Sequence, residues 1–193
     1  MLRLFLNTSN KYLFIALMKD DNVIDSVLME GNNNHSEKLI DVLKEFLNKN
    51  CLSVDDIKEI YVGRGPGSYT GVRIACTVAK VMAFIKNKKL YSFSSLDLLL
   101  STKLDKVGTY KVLMDARRGN SFAKVVEVKE DIVEVIFDEA FVENEYLENN
   151  YPNLDVITSE DTKYNLDLLL KYNLVKEEKD IHAFVPTYLR SGV

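Results

Sequence analysis

The stretch GRGPGSYTGVR, residues 63–73, constrains the fold of this chain more than any other feature of its sequence. It holds four of the chain's eight glycines and lies between an apolar run, IKEIYVG, and a long apolar run that ends in KNKK. Glycine accepts backbone conformations that other residues avoid, and the flanking patterns indicate a buried strand before the loop and a helix after it. A strand, tight loop and helix in this order are typical of α/β folds.

The glycine spacing excludes two common nucleotide-binding loops. A Walker loop has Lys directly after its last glycine, and no Lys follows here. A G-x-G-x-x-G dinucleotide fingerprint does not fit glycines at 63, 65, 67 and 71. Three interpretations remain: a purely structural turn, an anion site at the helix N-terminus, and a loop that shapes a surface for a partner. The residues that would form the anion site are Arg64, Gly65, Gly67, Ser68, Thr70, Gly71 and Arg73.

The pattern along the chain predicts two lobes, 1–104 and 105–193. Residues 2–29 indicate three strands separated by short polar breaks, which favours an antiparallel meander. Residues 36–49 predict an amphipathic helix, and residues 70–86 predict a helix that is apolar on nearly all sides and must be covered on more than one of them. Both lobes open with β-hairpins and close with helices, and the second is shorter and more acidic.

Composition narrows the class of protein. A 193-residue chain with 47% hydrophobic and 28% charged residues is typical of a soluble globular protein. The net charge of -4 argues against a protein that grips nucleic acid alone, because neutralising phosphates drives most such binding. Two cysteines cannot form a disulfide framework or a four-thiolate zinc site. We expect a cytoplasmic protein without a membrane segment, since no signal peptide or apolar run of about 20 residues occurs.

Arginine is used sparingly and in particular places. The chain has nineteen lysines and six arginines, and five of the arginines lie in the short strings GRG, GVR, DARRG and YLRS. A planar guanidinium binds carboxylates, phosphates or backbone carbonyls through two bonds at once, which a lysine cannot do. Ordinary structural ion pairing is the alternative at each position, including a pairing of Asp115 with Arg117 or Arg118 in a turn. The five residues are Arg64, Arg73, Arg117, Arg118 and Arg190.

Three strings together resemble the bacterial TsaB (YeaZ) family: GRGPGSYTGVRIA, DARRGNSFA and the late PTYLRS. The resemblance spans almost the whole chain, and the glycine string is its most specific part. It implies an α/β, ASKHA-type fold with two RNase H-like lobes, mixed sheets and a reduced second lobe. Members of the family are non-catalytic subunits of the machinery that makes threonylcarbamoyladenosine beside the tRNA anticodon.

The resemblance also implies partners. The catalytic paralogue TsaD carries the active site, the ATPase TsaE joins the pair, and tRNA is met only through the complex. In the family, two helices of this chain pack on the same pair of TsaD in a four-helix bundle, and we expect a homodimer when the partner is missing. The side chains predicted to carry the contact are Leu39, Leu43, Phe46, Val72, Ala75, Cys76 and Ala79. Because part of each helix must also pack on the sheet, the sequence does not assign every residue to one side.

The residues favour a chain that has no catalytic activity of its own. Kinases of this fold have an aspartate after the first strand for the metal-bound phosphate, and Asn7 stands there, which departs also from the usual TsaB pattern. The catalytic paralogue binds a metal through two histidines four residues apart, whereas here His35 is followed by Leu39. We therefore expect no catalytic residue, metal or cofactor. Weak nucleotide binding at a subunit interface stays open, as do two alternatives, a small-molecule kinase and a metallopeptidase-like hydrolase.

Overall fold

A computed structural model describes residues 1–31 and 38–189, which form two compact units. The strands in chain order are β1 (Leu2–Asn7), β2 (Tyr12–Lys19), β3 (Asn22–Glu30), β4 (Glu59–Gly63), β5 (Lys89–Phe93), β6 (Gly108–Asp115), β7 (Asn120–Val128), β8 (Val133–Glu143), β9 (Asp155–Ile157) and β10 (Val175–Glu177). The helices are α1 (Leu39–Lys49), α2 (Tyr69–Ile85), α3 (Ser95–Leu100), α4 (Asn144–Asn150) and α5 (Leu166–Lys171). Among these helices, none is long and apolar enough to cross a membrane.

The division between the units differs from the predicted boundary near residue 105. The first unit comprises Met1–Ser94 and Val175–Thr187, and the second comprises Ser95–Leu174 together with residues 188–189. Residues 95–104 belong to the second unit because the leucines of α3 and Leu104 lie in its core. The chain returns to the first unit at β10 because this strand pairs antiparallel with β5.

The first unit is built on a six-stranded mixed sheet in the order β10-β5-β4-β1-β2-β3. The antiparallel pairs β1–β2 and β2–β3 confirm the predicted meander, whereas β4 and β5 lie parallel to β1. Alternating side chains of β1, β2 and β4 meet the inner faces of α1 and α2 in one hydrophobic core. The alternation of apolar positions along each strand produces this core, since successive side chains point to opposite faces of a sheet.

α2 spans Tyr69–Ile85, one residue earlier at each end than the predicted 70–86, and the predicted start of α1 is not tested. α1 is described from Leu39, and the predicted start at residues 36–37 lies outside the described residues. A 3₁₀ turn at Val54–Asp56 follows α1 and is closed by a capping box between Ser53 and Asp56. α2 ends at Ile85, before the lysines of KNKK.

The second unit repeats the same plan with fewer strands. Its four-stranded mixed sheet has the order β8-β7-β6-β9, with β7 antiparallel to both β6 and β8 and with β9 parallel to β6. Leucines of α3 and apolar residues of β6 and β7 form its core. The fold is therefore α/β with two mixed sheets, and the second lobe is the smaller one, as predicted.

A buried ion pair lies between α3 and β7. The ammonium of Lys124 is 2.7 Å from a carboxylate oxygen of Asp97 and 3.7 Å from one of Glu139, and all three side chains are largely shielded from solvent. Burial lowers the pKa of Lys124, but attraction to Asp97 and Glu139 outweighs burial and raises this pKa above its usual value. Lys124 is therefore charged, and Asp97 is its nearest counter-charge.

We predict that Asp97→Asn lowers the free energy of unfolding by about 3 kcal/mol at neutral pH, because the substitution leaves a buried ammonium without its nearest carboxylate. Urea unfolding followed by circular dichroism measures the change. The matched control is Glu134→Gln, which removes a carboxylate that is also 2.7 Å from a lysine, Lys129, but in an exposed pair. The control should cost less than about 1 kcal/mol. Equal losses in the two variants would contradict the assignment.

Candidate functional site

The glycine loop, residues 63–71, is fixed by backbone contacts to two other segments of the first unit. The amide of Ser68 donates to the carbonyl of Ser9 at 2.6 Å, and the hydroxyl of Thr8 donates to the carbonyl of Gly71 at 2.6 Å. On the other side, the amide of Thr187 donates to the carbonyl of Arg64 at 2.7 Å. The loop therefore holds the β1–β2 turn and a C-terminal segment together.

Glycine is required at three points of close approach in this loop. At Gly65, with a φ of +105°, a side-chain carbon would come within 2.6 Å of the Thr187 carbonyl oxygen. At Gly67, which also has a positive φ, it would overlap the Ser9 carbonyl, and at Gly63 it would overlap the side-chain oxygen of Asn7. The loop conformation is thus set by close packing against two backbone carbonyls and the side chain of Asn7, which only glycine permits.

The polar residues of the loop serve the helix start. The hydroxyl of Ser68 accepts a hydrogen bond from the amide of Gly71 at 3.3 Å, so Ser68 is the N-cap of α2. Arg73 is exposed, and its guanidinium donates to the hydroxyl of Tyr69 at 2.9 Å. Thr70 is exposed and Arg64 is half-buried. These contacts support the interpretation of the loop as a structural turn. The anion site formed by the seven loop residues stays a prediction.

A neutral amide occupies the end of β1 beside the loop. Asn7 is 1% exposed, and its side-chain oxygen lies against Gly63 without a hydrogen-bond partner among the described residues. An aspartate at this place would be a buried negative charge, and such a charge needs a cation or several donors to remain ionised. The surroundings of Asn7 therefore suit an uncharged side chain.

The described residues contain no group of three or more His, Cys, Asp or Glu side chains that could hold a metal ion. Leu39 is completely buried in the core of the first unit, and His35 lies outside the described residues, as does Arg190. His182 is exposed, and its ring meets the edge of Phe84 with 4.6 Å between ring centroids.

Cys76 is a core residue and not a candidate nucleophile. Its side chain is buried, and the sulfur lies 3.7 Å from the carbonyl oxygen of Gly63. Burial raises the pKa of the thiol to about 12, so the reactive thiolate is not populated at neutral pH.

The seven side chains predicted to touch a partner are not at the surface of this chain. All of them lie in the hydrophobic core of the first unit and are at most 5% exposed, so this assignment is corrected. The physical reason is that the inner faces of α1 and α2 pack on the sheet, and the sheet covers the residues with the regular helical spacing. The seven are Leu39, Leu43, Phe46, Val72, Ala75, Cys76 and Ala79.

A different apolar surface lies on the outer side of the same helices. Val81, Phe84 and Ile85 are 48%, 57% and 68% exposed and lie next to one another at the C-terminal end of α2. We call these three residues the α2 outer stripe. Because α2 is apolar on nearly all sides, its sequence predicts that more than one side packs against other residues. The pattern alone does not identify the side that faces the sheet.

The α2 outer stripe is bordered by the C-terminal segment of the first unit. The ammonium of Lys80 donates to the carbonyls of His182 at 2.7 Å and Phe184 at 3.1 Å, and Phe184 itself is buried in the core. These contacts hold the segment along α2 and leave Val81 and Ile85 open to solvent. The described surface therefore presents large apolar side chains of the kind that mark interaction sites.

Comparison with known proteins gives the family. A family model described as "TsaD: tRNA N6-adenosine threonylcarbamoyltransferase" matches residues 29–189. The "tRNA threonylcarbamoyladenosine biosynthesis protein TsaB" of Bacillus subtilis is 30% identical over 213 residues, which cover 97% of this chain and 93% of that protein. The chain belongs to the TsaB (YeaZ) family.

Further TsaB proteins and solved structures agree with this assignment. The TsaB protein of Escherichia coli is 27% identical over 121 residues, which cover 62% of this chain and 52% of that protein. The structure of YeaZ from Pseudomonas aeruginosa is similar to the whole chain, with a TM-score of 0.75 at 20% identity and with 97% and 99% of the two chains covered. At this identity the YeaZ structure supports the fold, and TsaB membership rests on the Bacillus subtilis relative.

We predict that Gly67→Ala lowers the free energy of unfolding by about 3 kcal/mol or more, because the new methyl group meets the fixed carbonyl of Ser9. Gly119→Ala is the matched control, since Gly119 also has a positive φ but open space around it. The control should lose only about 1 kcal/mol, the cost of the backbone conformation itself. Chemical denaturation of both variants tests the difference, and similar losses would show that close packing does not constrain the loop.

Proposed function

We propose that this TsaB-family chain is a non-catalytic subunit of the complex that transfers a threonylcarbamoyl group to the tRNA adenosine beside the anticodon. The names of its TsaB relatives support a part in threonylcarbamoyladenosine biosynthesis. The observation that carries the non-catalytic role is the buried, neutral Asn7 at the end of β1. An enzyme of this fold needs a negative charge there to hold a metal-bound phosphate, and an amide cannot supply it.

The partner in this proposal is the catalytic paralogue TsaD. The α2 outer stripe is the surface on which we place the contact, together with Ile40, which is 62% exposed on α1. Specific interfaces bury about 800 Å² on each side, and large apolar side chains at the centre contribute most of the binding free energy. The inner-face residues predicted from the sequence act indirectly in this scheme, since they fix the helices on the sheet.

The proposal also covers the state of the isolated chain and its further partners. An isolated chain has an apolar surface to cover, so we expect it to form a homodimer when TsaD is absent. TsaE is expected to join the assembled pair, and tRNA to be met through the complex. Any nucleotide would bind weakly at the subunit interface and not in the glycine loop, whose Ser68 and Gly71 amides already have acceptors in the chain.

The two alternatives make different demands on the chain. A small-molecule kinase of this fold needs an acidic residue where Asn7 stands, and a metallopeptidase-like hydrolase needs a second histidine where Leu39 is buried. Since neither demand is met at these two positions, the scaffold remains the function that the geometry supports best.

We expect Val81→Glu to abolish capture of TsaD by the tagged chain in native cells, because the substitution places a charge in the middle of the apolar contact. Mass spectrometry identifies the captured partner, and nucleoside analysis of total tRNA should show a loss of threonylcarbamoyladenosine of tenfold or so. The matched control is Val135→Glu, which changes an equally exposed valine of the second unit and should leave both readouts unchanged. Normal capture by the Val81→Glu chain would place the contact elsewhere.

We also expect the purified chain alone to hydrolyse no ATP beyond the uncatalysed rate, because it lacks an acid at position 7. A phosphate-release assay measures the rate, with separately purified preparations as a check on contaminating ATPases. Sustained turnover that follows the amount of this chain would favour the kinase alternative.

A further inference from the structure

The turn between β6 and β7 holds two arginines in an unusual backbone conformation. Arg117 and Arg118 have φ values of +66° and +54°, and Gly119 follows with +75°. Residues other than glycine, asparagine and aspartate rarely adopt positive φ values. Four of the other five non-glycine residues with positive φ in the described chain are indeed Asp or Asn, so two adjacent arginines are the exception.

The turn is held in place by its neighbours. A carboxylate oxygen of Asp115 accepts from the backbone amide of Arg117 at 2.9 Å, and the side-chain amide of Asn120 donates to the carbonyl of Arg118 at 3.0 Å. The amide of Asn144 donates to the carbonyl of Gly119 at 2.9 Å. Asp115 is therefore a turn residue, as predicted, but it binds the backbone of Arg117 rather than a guanidinium.

Both guanidinium groups are open to solvent. Arg117 and Arg118 are exposed, and neither forms an ion pair or a side-chain hydrogen bond with the residues that the structure describes. Structural ion pairing, the alternative for these two positions, has no support in the described contacts. The turn thus presents two adjacent planar forks from a fixed backbone, at a place where asparagine and glycine would form the turn with less strain.

We propose that Arg117 and Arg118 form a contact for the phosphate backbone of RNA. Each guanidinium can hold one phosphate through two parallel hydrogen bonds, and a nucleic acid backbone offers a phosphate at every nucleotide. The two neighbouring guanidinium groups can therefore each bind a phosphate of the same RNA backbone, without a partner surface whose shape matches the turn. The proposal rests on the proposed function, which supplies tRNA as the RNA.

The contact is local and independent of sequence. Acidic residues outnumber basic ones in 95–174, so the second unit as a whole does not attract a polyanion. Two phosphate contacts change the slope of log affinity against log salt concentration by about 1.5. A contribution of this size helps to position the RNA but does not by itself give tight binding. The arginine pair lies on an exposed turn, so it can contact RNA even though the unit as a whole is acidic.

The test uses a variant that should fold at least as well as the wild type. Arg117→Asn with Arg118→Gly removes both charges and installs residues that favour the observed conformation, so the variant should unfold at the same or a higher temperature. The control, Lys106→Asn with Lys163→Asn, removes two charges from exposed lysines of the same unit. Fluorescence anisotropy with a labelled, unmodified tRNA transcript measures affinity between about 50 and 200 mM salt.

Both the chain with its captured partner and the chain alone are titrated. We expect the arginine variant to lose about tenfold in affinity at the lowest salt and to show a salt dependence smaller by about 1.5, while the lysine control changes less than about twofold. Equal losses in the two variants, or no RNA binding by either wild-type preparation, would overturn the proposal. So would unchanged RNA affinity with loss of a captured protein, which would mean that the arginines bind carboxylates.

The outcome separates this proposal from the proposed function. Failure of the wild type to capture a partner would count against the proposed function, yet the affinity ratio measured on the chain alone would still decide the RNA contact. Conversely, the arginine variant can lose RNA affinity and still capture the partner, because its substitutions lie in the second unit and the α2 outer stripe lies in the first.

Discussion

The close approach of the glycine loop to the carbonyl of Ser9 is the contact on which the first unit depends. It joins the turn after β1 to the N-terminus of α2, and the hydrogen bond from Thr8 to Gly71 repeats the connection one turn further along the helix. The position of α2 on the sheet follows from these contacts, and so does the direction of the α2 outer stripe. A side chain at Gly67 would separate the two segments and shift the helix as a rigid body.

The meander, the strand into the glycine loop and the smaller second lobe could be predicted because each rests on a local pattern. Alternating apolar residues, polar breaks and glycine clusters each extend over only a few residues, so they can be recognised directly in a short stretch of sequence. The boundary between the units could not be read in this way, because the return of β10 to the first sheet is a contact with β5 across more than 80 residues of chain. Such pairing depends on the assembled sheet edge and not on the composition of the segment.

The proposed partner surface shows a second limit of sequence patterns. Helical periodicity correctly identifies Leu43 and Phe46 as part of one apolar face of α1, but the same periodicity describes a face that packs on a sheet and a face that packs on another protein. The apolar residues of α2 surround the helix. Only the position of the sheet determines that Ala79 is buried in the core and that Val81 is exposed. The exposed side then becomes identifiable as the one with large side chains that the chain's own core leaves uncovered.

Two buried polar sites show how the same fold treats charge in different ways. Lys124 in the second unit carries its charge because the carboxylate of Asp97 lies 2.7 Å away, and removing Asp97 would leave the ammonium without its nearest counter-charge. Asn7 in the first unit has no charged neighbour of that kind among its described contacts, so the place is occupied by a neutral group. An acid at that position would require either a bound cation or a raised pKa, and each carries a cost that an amide avoids. A neutral side chain at position 7 and the glycine loop beside it are thus compatible, because the loop positions α2 through contacts with Ser9 and Thr8 of the chain itself.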